Sequence, residues 1–178
     1  MKRAHSLNLP NKLTLLRILM IPLCVLFLLT HQYIIAAVLF ITACITDFLD
    51  GYIARRQGIV TNFGIFADPV ADKILVLSMM ITLLYMDMFP WWAVLIVSAR
   101  ELAVDGLRLV AAERGVVIPA GSLGKLKTNA QYASVLSWTL SAPALLSMAL
   151  AILMSALTAI SGIQYFYQAR HLLSDGAE

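Results

Sequence analysis

The sequence predicts an all-α fold: a polytopic membrane protein of six transmembrane helices with both termini in the cytoplasm. Three observations predict it. The chain of 178 residues is 61% hydrophobic and 13% charged, whereas soluble domains run near a quarter charged. Its apolar residues gather in runs of roughly 20, the length a bilayer core requires. The 13 lysines and arginines gather toward one side of those runs. A soluble helical core cannot absorb hydrophobic runs so long and so numerous.

Breaking the chain at polar and turn residues gives the spans in order. The first runs from Leu13 to Thr30. Lys2 and Arg3 before it mimic a signal peptide, but no small-x-small cleavage site follows, and Arg17 and Pro22 interrupt the run. It reads as a retained span. The second runs from Tyr33 to Arg55, the third from Phe66 to Met86 and the fourth from Pro90 to Ala112. The fifth and sixth run from Leu126 to Ala142 and from Met148 to Gln168. No repeat or low-complexity linker divides residues 1–178, so the six spans are expected to form a single membrane domain. Residues 1–12, "MKRAHSLNLPNK", mix cations with Leu7 and Leu9 and suit either an interfacial segment or a short tail.

The cations set the sidedness. Lys2, Arg3, Lys12 and Arg17 precede or open the first span; Arg55 and Arg56 close the second, and Lys73 lies early in the third. Arg100, Arg108 and Arg114 fall late in the fourth, Lys125 and Lys127 open the fifth, and Arg170 follows the sixth. The opposite loops "THQY", "MDMFP" and "SAPALLSM" contain no Lys or Arg. By the positive-inside rule both ends are cytoplasmic. Cys24 and Cys44 sit in apolar runs without metal-type spacing and read as small core residues. His5, His31 and His171 are scattered and receive no catalytic role.

Four carboxylates stand out against this background. Asp47 and Asp50 are three apart, Asp68 and Asp72 four apart, so each pair shares a helix face. Asp47 lies about 12 Å before Arg55, and Asp72 about 12 Å after Gly64, which puts the pairs at similar depth on antiparallel neighbours. Each acid costs on the order of 2.5–3.5 kcal/mol as a helix-centre insertion, so something positive must compensate. Arg55, Arg56 and Lys73 lie too near the helix ends to neutralise two inward-facing pairs. Oxygen-only ligands select hard cations, which makes Mg²⁺ or Mn²⁺, as one ion or a pair, the natural candidate. Gly51, Ala54, Gly64, Ala67 and Ala71 permit close helix approach and leave room for a bulky ligand beside the metal.

The pattern D-x2-D-G-x2-A-R-x8-G-x3-D-x3-D is met in full by Asp47, Asp50, Gly51, Ala54, Arg55, Gly64, Asp68 and Asp72. It resembles the signature of the CDP-alcohol phosphatidyltransferase family, and the six-span topology is similar over essentially the whole chain. The resemblance implies that Asp47, Asp50, Asp68 and Asp72 hold two divalent ions that grip the pyrophosphate of CDP-diacylglycerol. It further implies Asp72 as general base, room for cytidine at Gly51, Ala54 and Gly64, and Arg55 on the phosphate. Asn11, Thr14 and Arg17 match the family's opening segment and are implied to contact the nucleotide or lipid phosphate. A homodimer in the bacterial cytoplasmic (inner) membrane, its active site facing the cytoplasm, is the family expectation; the partners are lipids, with no nucleic acid.

The motif alone fits acceptors from serine and inositol phosphate to glycerol phosphate and phosphatidylglycerol. Arg100, Arg108, Lys125 and Lys127 against Glu101 and Asp105 leave an excess of positive charge at the cytoplasmic ends of the fourth and fifth spans. That excess suits an anionic acceptor, or simple anchoring to lipid headgroups. Glu101, Asp105 and Arg108 share a helix face, so one acid is expected to orient Arg108. The segments "NLPNKLTLLRILMIP", "ARELAVDGLRL", "GKLKT" and "SGIQYFYQAR" resemble the bacterial members that use sn-glycerol 3-phosphate. That resemblance implies Arg100, Arg108, Lys125 and Lys127 as the glycerol-phosphate site. Within the family the alternative is a cardiolipin synthase. The rival from another class is a divalent-cation transporter, but such proteins place ion sites near the midplane, commonly with internal repeats and broken helices.

Overall fold

The computed structural model describes residues 9–57, 62–116 and 122–170. Among these residues all regular structure is helical: α1 (Leu9–Leu29), α2 (Tyr33–Gln57), α3 (Asn62–Tyr85), α4 (Trp91–Glu113), α5 (Ser122–Thr139) and α6 (Ala144–Gln168). Several helices outrun the apolar spans read from sequence. α1 begins at Leu9, taking in the last residues of the expected interfacial segment, while α3, α5 and α6 each start four residues early. A helix satisfies its own backbone whether its side chains are polar or apolar, so hydropathy marks the part suited to lipid and not the helix end. Among the described residues two stretches, Asn11–Leu29 and Ala144–Gln168, are long and apolar enough to cross a membrane, and Tyr33–Leu49 is a shorter apolar stretch.

The turns are closed by sequence-specific caps. After α1, His31 takes φ 59°, and its N–H bonds to Leu28 O while Gln32 N–H reaches Phe27 O. After α5, Ser141 (φ 51°) does the same, with Ser141 N–H on Trp138 O and Ala142 N–H on Ser137 O. These are Schellman closures built without glycine. α4 ends with the usual residue, Gly115 at φ 69°, and Val116 N–H returns to Ala111 O. Pro90 and Pro143 then stand at the N-caps of α4 and α6, where the missing N–H removes nothing from the ladder.

The chain forms two compact units, Met1–Met86 and Asp87–Glu178. In the first, α1 packs against both α2 and α3. Its buried face carries Asn11, Thr14, Arg17, Met20, Ile21, Cys24 and Leu28, a helical stripe that is polar in its first half and apolar in its second. Ala36, Ala37, Phe40 and Ala43 of α2 are buried in this unit, as are Ala67, Ala71, Leu75, Met79 and Leu83 of α3. Pro69 interrupts the α3 ladder one residue after Asp68.

In the second unit α6 packs against α4 and α5. α4 buries Ala93, Val94, Val97, Glu101, Val104, Leu107 and Ala111, a regular stripe in which Glu101 is the one charge. α6 answers with Ser147, Ala151, Met154, Ser155, Thr158, Ser161, Gly162 and Tyr165, mostly small residues that let helix axes approach. The outward faces of both units are apolar: Leu19, Ile34 and Phe48 in one, Leu102, Leu145 and Ile163 in the other. Apolar outward faces are what a lipid solvent demands, and together with two helices long and apolar enough to cross a bilayer they suggest a membrane protein.

Candidate functional site

The motif aspartates belong to the first unit. Asp47 lies on α2, Asp68 and Asp72 on α3. α1 supplies their polar neighbours. Arg17 Nη1 forms an ion pair with Asp47 Oδ1 at 2.8 Å, and the arginine side chain is wholly buried. Thr14 Oγ1 donates to Asp68 Oδ1 at 2.5 Å. Thr14 and Arg17 are three apart, so consecutive steps along one face of α1 serve one acid from each of the two following helices. Asn11, one further step back, is buried on the same face.

Cys44, one turn before Asp47 on α2, lies within electrostatic reach of Asp47, of Asp72 and of Arg17. Asp47 of α2 and Asp72 of α3 thus both act on the same thiol. Both cysteines are free thiols; Cys24 is buried, in agreement with its reading as a core residue, whereas Cys44 is half-buried. Gly64 and Asp72 are partly buried. The side chains of Asp50, Gly51, Ala54 and Arg55 lie outside the described residues.

The donor chemistry suits a hard divalent cation. Asp47, Asp68 and Asp72 offer oxygen alone, and two of them are oriented by partners on a third helix, the outer support that metal-binding carboxylates require. Among the described residues no three of His, Cys, Asp and Glu form a group that could hold a metal ion. Asp50, the fourth expected ligand, is not among the side chains described. Arg17, expected on a substrate phosphate, is found on Asp47; Thr14, expected likewise, is found on Asp68.

The basic residues of the second unit form their own network. Lys127 of α5 is buried in an ion pair with Glu101 of α4, and Arg100 Nη1 approaches Glu101 Oε2 at 3.3 Å. Arg108 Nη2 donates to Tyr165 Oη of α6 at 2.7 Å. The guanidinium carbons of Arg108 and Arg100 lie 5.1 and 5.7 Å from the Tyr165 ring centroid. Glu101, one of two acids expected to orient Arg108, is thus the partner of Lys127 and Arg100. Lys125 is exposed. Two residues on a helix turn through roughly 200°, so Lys125 and Lys127 cannot share a face. The sequence reading missed Tyr165. It stands in a run of three aromatics, Tyr165, Phe166 and Tyr167, and the signal available was the α6 periodicity that makes it the buried one.

The CDP-alcohol phosphatidyltransferase family model matches residues 7–160. The chain is 45% identical over 143 residues to the CDP-diacylglycerol–glycerol-3-phosphate 3-phosphatidyltransferase of Bacillus subtilis (strain 168), covering 72% of this chain and 74% of that one. It is 43% identical over 182 positions to the probable phosphatidylglycerophosphate synthase of Mycobacterium tuberculosis (strain ATCC 25618 / H37Rv), covering 94% of this chain and 84% of the relative. A third relative, the CDP-diacylglycerol–glycerol-3-phosphate 3-phosphatidyltransferase of Rickettsia typhi, is 45% identical over 127 residues, 70% of this chain and 71% of its own. With the match extending across most of the chain and the aspartate motif complete within it, the chain belongs to the CDP-alcohol phosphatidyltransferase family.

Proposed function

We propose that the chain transfers the phosphatidyl group of CDP-diacylglycerol to sn-glycerol 3-phosphate, giving phosphatidylglycerophosphate and CMP. Relatives at 43–45% identity carry that activity in their names. The observation that carries the acceptor is the network of the second unit. There Lys127 and Arg100 pair with the buried Glu101 while Arg108 joins Arg100 at Tyr165, so three cations stand against one buried acid. Surplus buried guanidinium and ammonium groups suit a phosphate, which forms charge-assisted bonds to both.

The reaction follows from what the residues can do. The acceptor hydroxyl oxygen bonds to the β-phosphorus of the nucleotide lipid, the bond from that phosphorus to the bridging oxygen breaks, and CMP departs. The hydroxyl proton passes to the carboxylate of Asp72, placed on α3 one turn after Asp68. Arg17 and Thr14 hold Asp47 and Asp68 in fixed orientations, and Asp50 completes the set from α2. The family is generally dependent on divalent metal. Mg²⁺ or Mn²⁺ bound by the four aspartates, as a pair of ions, would supply positive charge against the pyrophosphate. Gly51, Ala54, Gly64 and Arg55 accept the nucleotide, and Asn11, near the start of α1, serves as a further contact. Arg100, Arg108 and Lys127 hold the acceptor phosphate, and Lys125, being exposed, draws the anion in from solution.

The whole chain serves as one six-span domain with both termini cytoplasmic, in the inner membrane, and works as a homodimer. The charge asymmetry supports this topology: no Lys or Arg stands in residues 30–33, 86–90 or 141–148.

The decisive experiment is an assay in detergent with CDP-diacylglycerol and a panel of acceptors, scoring CMP release and lipid product. Glycerol 3-phosphate is expected to give the highest kcat/KM. Preference for phosphatidylglycerol would make the chain a cardiolipin synthase instead.

A further inference from the structure

Arg100 and Arg108 are eight residues apart on α4, a rise of about 12 Å along the axis. Both nevertheless turn onto the same ring. Tyr165 is 5% exposed and clusters with Val104, Leu107, Ala111 and Ala169. Its hydroxyl takes a hydrogen bond from Arg108, and its π-face attracts both guanidinium groups. Arg100 reaches it past a position with no side chain: a Cβ at Gly162 would stand 3.1 Å from Arg100 Cγ. The approach is tight enough that the neighbour would have to shift.

Two like charges directed at one ring repel; the ring offsets only part of that repulsion, and Glu101, the partner of Arg100, is shared with Lys127. A second observation points to what completes the arrangement. The Arg100 side chain is nine-tenths buried, and its Nε finds no hydrogen-bond acceptor among the described residues. A buried guanidinium N–H without an acceptor is costly, and a phosphate oxygen is its natural counterpart.

We infer that Tyr165 is the positioning residue of the acceptor-phosphate site: its ring and hydroxyl fix the two guanidinium groups so that they engage one phosphate together. The inference rests on the proposed reading of Arg100 and Arg108 as phosphate-binding residues. Tyr165 acts through them and touches no reacting atom. Gly162 belongs to the same device, since its missing side chain admits Arg100 to the ring.

The test measures kcat and both KM values for the full chain in detergent, comparing wild type with Arg108→Ala, Tyr165→Phe, Tyr165→Leu, Gly162→Ala and the Arg108→Ala/Tyr165→Phe double variant. Tyr165→Phe keeps the ring and loses one charge-assisted bond, so KM for glycerol 3-phosphate should rise about tenfold, with kcat and KM for CDP-diacylglycerol within about twofold. Tyr165→Leu loses the ring as well and should raise it further; Gly162→Ala should shift the same constant in the same direction. Because the hydroxyl acts through Arg108, the double variant should be no worse than Arg108→Ala alone. If Arg108→Ala raises KM for glycerol 3-phosphate while the Tyr165 variants do not, the inference is overturned and the site stands. If Arg108→Ala leaves that KM unchanged, the site reading falls and the inference with it. Equal loss toward both substrates in Tyr165→Phe would mark the tyrosine as structural only and overturn the inference. Should Tyr165→Leu fail to fold, the conservative Phe variant and Gly162→Ala decide the matter.

Discussion

Arg17 Nη1 lies 2.8 Å from Asp47 Oδ1, and the arginine is fully buried while its partner keeps a third of its side chain exposed. The pair joins α1 to α2 and fixes the carboxylate that opens the aspartate motif. Arg17→Ala leaves Asp47 without that counter-charge and removes a large buried side chain; a broken buried pair costs about 3–5 kcal/mol, and the exposure of Asp47 puts this case at the low end. Thermal unfolding in detergent should fall accordingly, and CMP release should drop more than the stability loss explains. Arg17→Lys should recover stability better than activity, because an ammonium cannot reproduce the guanidinium fork. An Arg17→Ala protein with wild-type unfolding and turnover would remove the pair from both roles.

Thr14 and Asp68 offer a gentler probe of the same support. Thr14→Val is nearly isosteric and deletes the bond to the carboxylate, worth roughly 1.5–3 kcal/mol for a charged acceptor. Thr14→Ser preserves it. The expected result is a higher divalent-ion concentration for half-maximal activity in the Val variant and an unchanged one in the Ser variant. Identical metal titrations for all three proteins would show that Thr14 does not orient Asp68.

Metal dependence itself is tested by chelation. Activity should vanish with a divalent chelator and return on adding Mg²⁺ or Mn²⁺, and Asn at Asp47, Asp50 or Asp68 should abolish both turnover and metal-dependent thermal stabilisation. Asp72→Asn should lower turnover by about 10²–10⁴-fold, the usual contribution of a general base, even where CDP-diacylglycerol still binds. Undiminished CMP release in chelator would exclude the metal role; near-normal turnover in Asp72→Asn would exclude the base.

Glu101 holds Lys127 and Arg100 together in the second unit. Glu101→Gln keeps its shape and leaves two buried cations without their counter-charge, a loss of roughly 3 kcal/mol. Added glycerol 3-phosphate should then stabilise the Gln variant more than the wild type, since the phosphate replaces the missing anion. Equal ligand-induced stabilisation of the two proteins would place the phosphate elsewhere.

Topology is accessible to thiol labelling in intact cells. With Cys24 and Cys44 replaced by Ser, a single cysteine at Gln32 or Ser141 should react with a membrane-impermeant reagent, whereas one at Arg114 should react only after permeabilisation. Labelling at Arg114 in intact cells would invert the proposed orientation.

Local chemistry made much of this protein readable in one dimension. Apolar runs of bilayer length foretold helices, because a backbone in lipid must satisfy its own hydrogen bonds. The spacing of Asp47, Asp50, Asp68 and Asp72 follows from helical geometry, so their pairing on faces needed no tertiary knowledge. Helix ends were less legible: α5 begins at Ser122, since polar residues continue a helix as readily as apolar ones.

What packing alone decided is which side chains meet across helices. Arg17 was legible as an oddity within an apolar span, yet its partner Asp47 stands thirty residues on, in another helix. Nothing in the spacing ties Lys127 to Glu101, and the α6 periodicity that buries Tyr165 rather than Tyr167 does not say that two arginines lie against its ring. Those pairings depend on the rotation of each helix about its axis, which the sum of all buried contacts sets and no single residue does. The sequence by itself determined the class of fold and the kinds of groups available for chemistry. The tertiary structure decided their partners, because an ion pair or a cation–π contact is a matter of a few ångströms between segments far apart in the chain.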